Sequence, residues 1–399
     1  MKRHGLGAKM VHVALYLLAV ALIALSLGCR AEEPQQPQSV KPPEDSDISL
    51  MVSQTIDEVL KSTPLTKREM IFSVSHSTDS ATVTLTGQTS NEAVKTQVIE
   101  KILQIQGVGV VDEIVVLPAP PLDETPWGVV TCPVVSLGDA PGKSGDDHTV
   151  TQARLGDIVR ILCQEDDWYF VQMADNYLGW ISPDCVLLGD RSMVDQFFKG
   201  PVALIRSKMA AALDAPDGKQ IFDKRLVQGS VLPVSEAKGD WVVLDLPGGG
   251  KAYVKAAHVE EYESMDQVFA QQKGAGAVIE DAKQYLGLPY LWGGCTSYGF
   301  DCSGFTQFIF KLNGYHLRRD ADLQYMQGDS VTQADLVPGD LVFFQTYREG
   351  ASHVGIYIGD SQFIHSGSGG VAINSFDPSR QDYSASLSQK YLGARRVIK

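Results

Sequence analysis

Two proline-rich stretches and one internal repeat constrain the fold of this chain more than anything else in it. Ala31 to Ser46 carries Pro34, Pro37, Pro42 and Pro43 among Glu and Gln. It holds too few apolar residues to bury a core and reads as a semi-extended linker. A second stretch, Pro118 to Pro126, holds four prolines and marks a boundary. Beyond it, positions recur at an offset of 73 residues: Gly156 and Gly229, Ile158 and Val231, Asp167 and Asp240, Trp168 and Trp241, Trp180 and Tyr253, Ile181 and Val254, Val186 and Val259. A chain divided in this way folds as several small units in series. Its 399 residues agree with that, at roughly 150 residues per domain.

The first residues read as an address. Lys2, Arg3 and Lys9 precede a nearly unbroken apolar run from Val11 to Leu27, followed by Gly28 and Cys29. That is the layout of a secretory signal peptide. It resembles a bacterial lipoprotein signal over residues 1–28, with Cys29 as the lipidated residue, although Ser26 stands where such signals usually carry Leu. An uncleaved anchor helix is the alternative. Either way the resemblance implies an exported, membrane-anchored protein facing the periplasm or cell wall, followed by a linker over 29–46. A net charge of -14 argues against a nucleic-acid partner, which needs basic surface. Six cysteines are too few for a disulfide scaffold.

Residues 47–117 read as a small α+β unit. Ile48, Met51, Val52, Ile56, Val59 and Leu60 fall at helical spacing. Val83 and Leu85 share one face of a strand, with Thr82, Thr84 and Thr86 on the other. Ala93 to Leu103 suits a helix, and Val108 to Val116 a closing strand. With the V-T-L-T-G stretch at Val83 to Gly87 and with Gly107, Val108, Val111 and Ile114, this order resembles the BON domain. That family is associated with envelope attachment and proposed phospholipid contact; a spacer without ligand is the alternative. In the repeat, the rhythm of Gly-x-Ile or Gly-x-Val, then Asp-Trp, then an aromatic–aliphatic pair resembles bacterial SH3-like domains, at 127–190 and 198–262. Trp168 and Trp241 are expected in the cores of these small barrels rather than at a ligand.

The chemistry-bearing residues lie in 265–399. After Cys302, Phe305, Phe308, Ile309 and Leu312 form one buried helical stripe, with Asp301 placed to cap it and Gly314 to end it. Cys302 therefore begins a helix, where the dipole and free N–H groups are expected to lower its pKa and to hold an oxyanion. Val354, Ile356 and Ile358 alternate with His353, Gly355 and Tyr357, a strand with His353 at its start. An imidazole can take the thiol proton, and His365 could orient His353. In a flat hairpin, however, the two histidines would be offset by several residues, and a strongly curled sheet would be needed to join them. Cys132, Cys163, Cys185 and Cys295 read as inert small hydrophobes, unless two of the first three pair. His76 and His148 read as surface residues. No His, Cys, Asp and Glu set has zinc-like spacing, so no cofactor or metal is expected.

Tyr290 to Gly294 (Y-L-W-G-G), Asp301 to Gly304 (D-C-S-G), Leu336 to Phe344 (L-V-P-G-D-L-V-F-F), Ser352 to Gly359 (S-H-V-G-I-Y-I-G) and the closing Tyr391 to Arg396 together resemble the NlpC family of papain-like cell-wall cysteine peptidases. The expected fold is thus α+β and multidomain: a papain-like peptidase domain preceded by two SH3-like barrels and a BON-like domain. The resemblance implies a thiol endopeptidase acting on peptidoglycan peptides, typically between D-γ-glutamate and a diamino acid. By motif position Cys302 is the nucleophile, His353 the general base and His365 the orienting residue. Tyr290 and Trp292 would line the pocket, with Asp301 and Ser303 flanking the thiol. Arg319-Asp320-Ala321, with Gln324, resembles a segment of relatives with tandem SH3-like domains. There the aspartate, here Asp320, helps hold the free amine of an N-terminal L-Ala; Ala321 replaces a serine. A tyrosine and an acid of the first SH3-like unit assist it, matched here by Tyr177 and, more loosely, Asp157. The alternatives are an amidase, a transpeptidase or a lipid acyltransferase on the same fold, or a non-catalytic wall-binding scaffold.

Overall fold

The structure, a computed structural model, describes residues 44–399. The signal segment 1–28, the lipidation candidate Cys29 and most of the linker 29–46 lie outside the described residues.

Helix Asp45–Ser62 buries Ile48, Val52, Ile56 and Val59, the apolar positions at three- and four-residue spacing. Helix Glu92–Ile102 starts where the Asn91 side chain accepts from the Val94 N–H. Both share a core with one face of a three-stranded sheet. The central strand Thr82–Thr89 pairs antiparallel with Phe72–Asp79 and parallel with Gly109–Val116. Val83 and Leu85 are fully buried, as their alternation predicts. The edge strand Phe72–Asp79 carries serines at alternate positions and buries nothing fully, so it gives no apolar signal in the sequence.

The repeat is reproduced strand for strand. Ile158–Glu165, Trp168–Gln172, Leu178–Ile181 and Val186–Gly189 begin 73 residues before Val231–Lys238, Trp241–Asp245, Lys251–Lys255 and Val259–Tyr262. In both sheets the strand order is the same, with Trp127–Val130 and Val202–Ile205 in equivalent places. The first sheet then adds the strands Val134–Gly138 and Thr149–Arg154. Trp241 is buried under the Lys255 ammonium, whereas Trp168 is only half-buried. Cys132 and Cys185 form a disulfide around the first repeat.

The C-terminal part is a six-stranded antiparallel sheet in the order Asp329–Val331, Tyr391–Arg396, Leu341–Phe344, His353–Gly359, Gln362–Gly367, Gly370–Ser375. Helix Cys302–Leu312 packs against it. Phe305, Phe308, Ile309 and Leu312 share a core with Val354, Ile356 and Ile364. Gly314 ends the helix at φ +81°, in the left-handed region, and Tyr315 donates its N–H back to the Phe310 carbonyl at 2.9 Å.

The added hairpin of the first repeat docks this part. Gln152 Oε1 accepts from the Cys295 N–H at 3.1 Å and from Thr296 Oγ1 at 3.0 Å. A Cβ at Gly293 would sit 2.4 Å from the Thr149 carbonyl oxygen, so only glycine lets the two backbones meet there.

Because Cys132 and Cys185 are 53 positions apart, their bond removes loop entropy from the unfolded chain. Replacing both by serine is expected to cost about 4 kcal/mol. Urea unfolding of the oxidised wild type and the double variant measures this. Equal midpoints would show that the bond does not support the first repeat.

Candidate active site

The Asp301 side chain builds the site's base. Its Oδ1 accepts from the Gly304 N–H at 2.6 Å, capping the helix that Cys302 begins. Gly304 has no substitute: a Cβ would lie 2.2 Å from the Gly294 carbonyl oxygen. Arg319, almost completely buried, donates to both Asp301 oxygens, at 3.1 and 2.5 Å, and to Thr151 Oγ1 at 3.0 Å. Ser303 Oγ donates to Asp301 Oδ1 at 3.2 Å and accepts from Arg319 Nη1 at 3.2 Å. Asp301 and Ser303, the chain neighbours of Cys302, have their polar atoms engaged in holding the helix start. Gln324 braces the same turn, donating to the Ser303 carbonyl at 3.0 Å.

The two histidines meet through the register of their hairpin. Strands His353–Gly359 and Gln362–Gly367 pair Ile356 with Ile364 and Tyr357 with Phe363, with an irregularity at the turn. Continued, that register sets His365 opposite Gly355, one diagonal step from His353 on the same face. This corrects the expected offset of several residues. Two glycines make room: a Cβ on Gly355 would lie 3.0 Å from His365 Cβ, and one on Gly367 2.9 Å from His365 Cε1. His353 Nε2 and His365 Nδ1 are 2.7 Å apart.

A residue without a sequence signal sets the tautomers. Asn374 Nδ2 donates to the Asp382 carbonyl at 3.1 Å, which turns its Oδ1 towards His365 Nε2 at 2.9 Å. An amide oxygen only accepts, so His365 Nε2 carries the proton and its Nδ1 is an acceptor. His353 Nε2 is then the donor, and His353 Nδ1 carries the free lone pair of a base. Asn374 lies in strand Gly370–Ser375, and nothing in its sequence context marks it.

The electrostatics differ from expectation at Cys302. Burial pushes its thiol up to about 12, and the Asp301 carboxylate pushes the same way; the Val354 N–H, the Arg319 guanidinium and the Ser303 N–H only partly offset this. Burial, and then His365, push the His353 imidazole down to about 3. The helix-start argument considers the dipole alone, whereas here desolvation outweighs it. The resting pair is neutral thiol and neutral imidazole.

One cleft carries Cys302, Asp301, Ser303, Tyr290, Trp292, Asp320 and Tyr177 together. Trp292 is exposed at the rim, edge-on to Tyr347 at 6.0 Å between centroids. Tyr177 donates its hydroxyl to Asp320 Oδ2 at 2.8 Å. Asp157 does not face this cleft: its carboxylate accepts from the Arg154 N–H at 2.8 Å. Asp139 and Asp147 of the first repeat line the cleft instead. Arg68, from the N-terminal unit, also reaches it. Among the described residues no group of three or more His, Cys, Asp or Glu is arranged to hold a metal ion.

His353 is neutral in the folded protein down to about pH 3, whereas an unfolded histidine titrates near 6.5. As pH falls through this window the unfolded chain binds a proton that the folded chain does not. Stability is therefore lost with falling pH, by up to about 1.4 kcal/mol per pH unit for this group. Urea unfolding between pH 7 and 5 should show a shallower loss for His353→Phe than for wild type. Parallel curves would contradict the burial of a neutral imidazole.

Comparison with known proteins agrees with this architecture. Residues 287–396 match the NlpC/P60 family, and residues 143–184 match the bacterial dipeptidyl-peptidase Sh3 domain. A gamma-D-glutamyl-L-lysine dipeptidyl-peptidase of Bacillus cereus is 31% identical over 259 residues, covering 62% of this chain and 75% of the relative. The protein of that name from Bacillus subtilis is 48% identical over 108 residues, 26% of this chain and 36% of its own length. The crystal structure of an NlpC/P60 family protein from Bacillus cereus superposes with a TM-score of 0.60 at 25% identity, over 68% of this chain and 100% of that one. With 75% of that Bacillus cereus relative covered at 31% identity, this chain belongs to the NlpC/P60 family.

Proposed function

We propose that this chain is an exported cysteine endopeptidase that hydrolyses peptidoglycan stem peptides at the bond between D-γ-glutamate and a diamino acid. The observation that carries this reading is the directed chain Asn374–His365–His353, which leaves His353 Nδ1 with the lone pair, on a strand whose next residue, Val354, shares a core with Cys302. Names borne by similar proteins, gamma-D-glutamyl-L-lysine dipeptidyl-peptidase and gamma-DL-glutamyl hydrolase, support the bond type.

In this reading Cys302 is the nucleophile, His353 the general base and His365 the orienting residue. The neutral pair reacts in one concerted movement: His353 Nδ1 takes the thiol proton as Sγ attacks the γ-glutamyl carbonyl carbon. The oxyanion is held by N–H groups at the start of the Cys302 helix. Collapse of the intermediate breaks the C–N bond, and the imidazolium gives its proton to the leaving amine. Water, deprotonated by the same imidazole, then hydrolyses the thioester and returns the thiol. Tyr290 and Trp292 form the apolar wall of the cleft, Asp301 and Ser303 hold the thiol's turn, and Asp320 with Tyr177 faces the peptide's amino end.

The remaining units fit an envelope protein. Residues 47–117, with their helix–strand–strand–helix–strand order, are proposed as a BON-like module. Residues 127–190 and 198–262 are proposed as paired SH3-like domains, 265–399 as the peptidase domain, and Cys29 as a lipid attachment point at the membrane.

The test is incubation of the chain with L-Ala-γ-D-Glu-diamino acid tripeptide and, separately, with intact sacculi, products being read by mass spectrometry. Release of the diamino acid portion, abolished in Cys302→Ala, is expected. A product that persists in Cys302→Ala, or none from either substrate, would overturn the reading. Asn374→Leu should lower kcat about 10- to 100-fold with little change in KM, because it frees the wrong histidine tautomer without touching the cleft. An unchanged kcat would remove Asn374 from the relay.

A further inference from the structure

The cleft contains a cation that the C-terminal part does not supply. Arg68 belongs to the N-terminal α+β unit, in the turn between its first helix and its edge strand. Its Nη1 donates to Asp320 Oδ2, the same oxygen that accepts from the Tyr177 hydroxyl. Nη1 also donates to Asp322 Oδ1 at 3.1 Å, and Nη2 to Asp322 Oδ2 at 2.6 Å. Arg348 Nη2 lies 3.1 Å from Asp322 Oδ1. Two carboxylates are therefore matched by two guanidiniums.

The turn that carries Arg68 is anchored on both sides. The Arg68 carbonyl accepts from the Leu178 N–H of the first repeat at 2.9 Å. The next carbonyl, of Glu69, accepts from Gln172 Nε2 at 2.8 Å. The buried Glu69 carboxylate is clamped by Arg318, and by Thr66 Oγ1 at 3.0 Å. Arg68 is thus fixed in the cleft by three units of the chain and is part of its wall.

Resting on the proposed reading of the cleft, in which Asp320 faces the peptide's amino end, we propose that Arg68 is a specificity-determining residue. Its guanidinium fills the cation position at Asp320. A substrate ammonium there must compete with a fixed charge hydrogen-bonded to both Asp320 and Asp322, so a free amino end gains little. The cleft then accepts stem peptides whose amino end is acylated, as it is where the stem is joined to another group, about as well as free peptides. Without Arg68, Asp320 would keep the charge of Arg319 and the Tyr177 hydroxyl but no guanidinium on its Oδ2, which would then be open to an ammonium.

The test reads binding rather than turnover. L-Ala-γ-D-Glu and its N-acetyl form are titrated by calorimetry into the full chain carrying Cys302→Ala, with and without Arg68→Met. The two peptides should bind the Cys302→Ala chain within about threefold of each other. Arg68→Met should tighten the free-amine peptide about tenfold and leave the acetylated one unchanged. Adding Asp320→Asn should abolish the gain, and Arg68→Lys, which keeps the charge, should not produce it. An initial preference for the free amine of tenfold or more would overturn the proposal. So would an equal change for both peptides, the signature of a displaced N-terminal unit, or binding of neither. Loss of thiol-dependent turnover with the affinity pattern intact would instead fault the proposed reaction and leave the role of Arg68 standing.

Discussion

The buried ion pair between Asp301 and Arg319 is the interaction on which the site depends. A guanidinium with almost no exposure carries a large desolvation cost, offset only when its donors are satisfied. Here they meet both oxygens of Asp301, the Ser303 hydroxyl and Thr151. One arginine thus joins the cap of the Cys302 helix to the hairpin that the first repeat adds. Removing either partner would leave a buried charge unmatched, a loss of about 3–5 kcal/mol. The first repeat is for this reason part of the site's foundation. The second repeat, built on the same strand order, has only the short pair Met209–Ala210 and Leu226–Val227 where the first has its docking hairpin.

Much of this was legible in the sequence, for identifiable reasons. The stripe Phe305, Phe308, Ile309 and Leu312 and the alternation around Val354 and Ile356 follow from burial on one face. Those residues are buried in one core. The repeat was legible because matched residues open matched strands. Features that depend on register or on distant parts of the chain were not. The meeting of His353 and His365 turns on an irregular hairpin turn and on two absent side chains. Asn374 comes from the next strand, where an asparagine carries no signal. Asp139 and Asp147 lie in a segment without apolar rhythm, and Asp157, nearer to a recognisable motif, points elsewhere. Arg68 sits 252 residues from its partner Asp320, in a turn no motif describes.

The thiol shows how a local rule can be overruled. A helix start favours an anion by a modest, short-range amount. Burial beside the Asp301 carboxylate disfavours it by more. The same carboxylate that makes the helix start possible therefore adds to the burial that keeps Cys302 protonated at rest. Protonation of His353 is disfavoured by the same lack of solvent. In the proposed mechanism both charged forms become accessible together, once a bound carbonyl offers the developing charge a place at the N–H groups of the helix start.

That coupling gives the surrounding units a physical role. In the proposed mechanism a neutral pair reacts only when the substrate carbonyl is held in line with Sγ, so positioning matters more than thiolate concentration. The walls that would position a peptide come from three parts of the chain: Tyr290 and Trp292 from the C-terminal part, Tyr177 from the first repeat, and Arg68 from the N-terminal unit. Arg68 and Tyr177 converge on the same Asp320 oxygen from different units. The charge at that end of the cleft is thus set by how the units dock. A change in the docking of the N-terminal turn would alter which peptide ends the cleft accepts, while Cys302, His353, His365 and Asn374 stayed where they are.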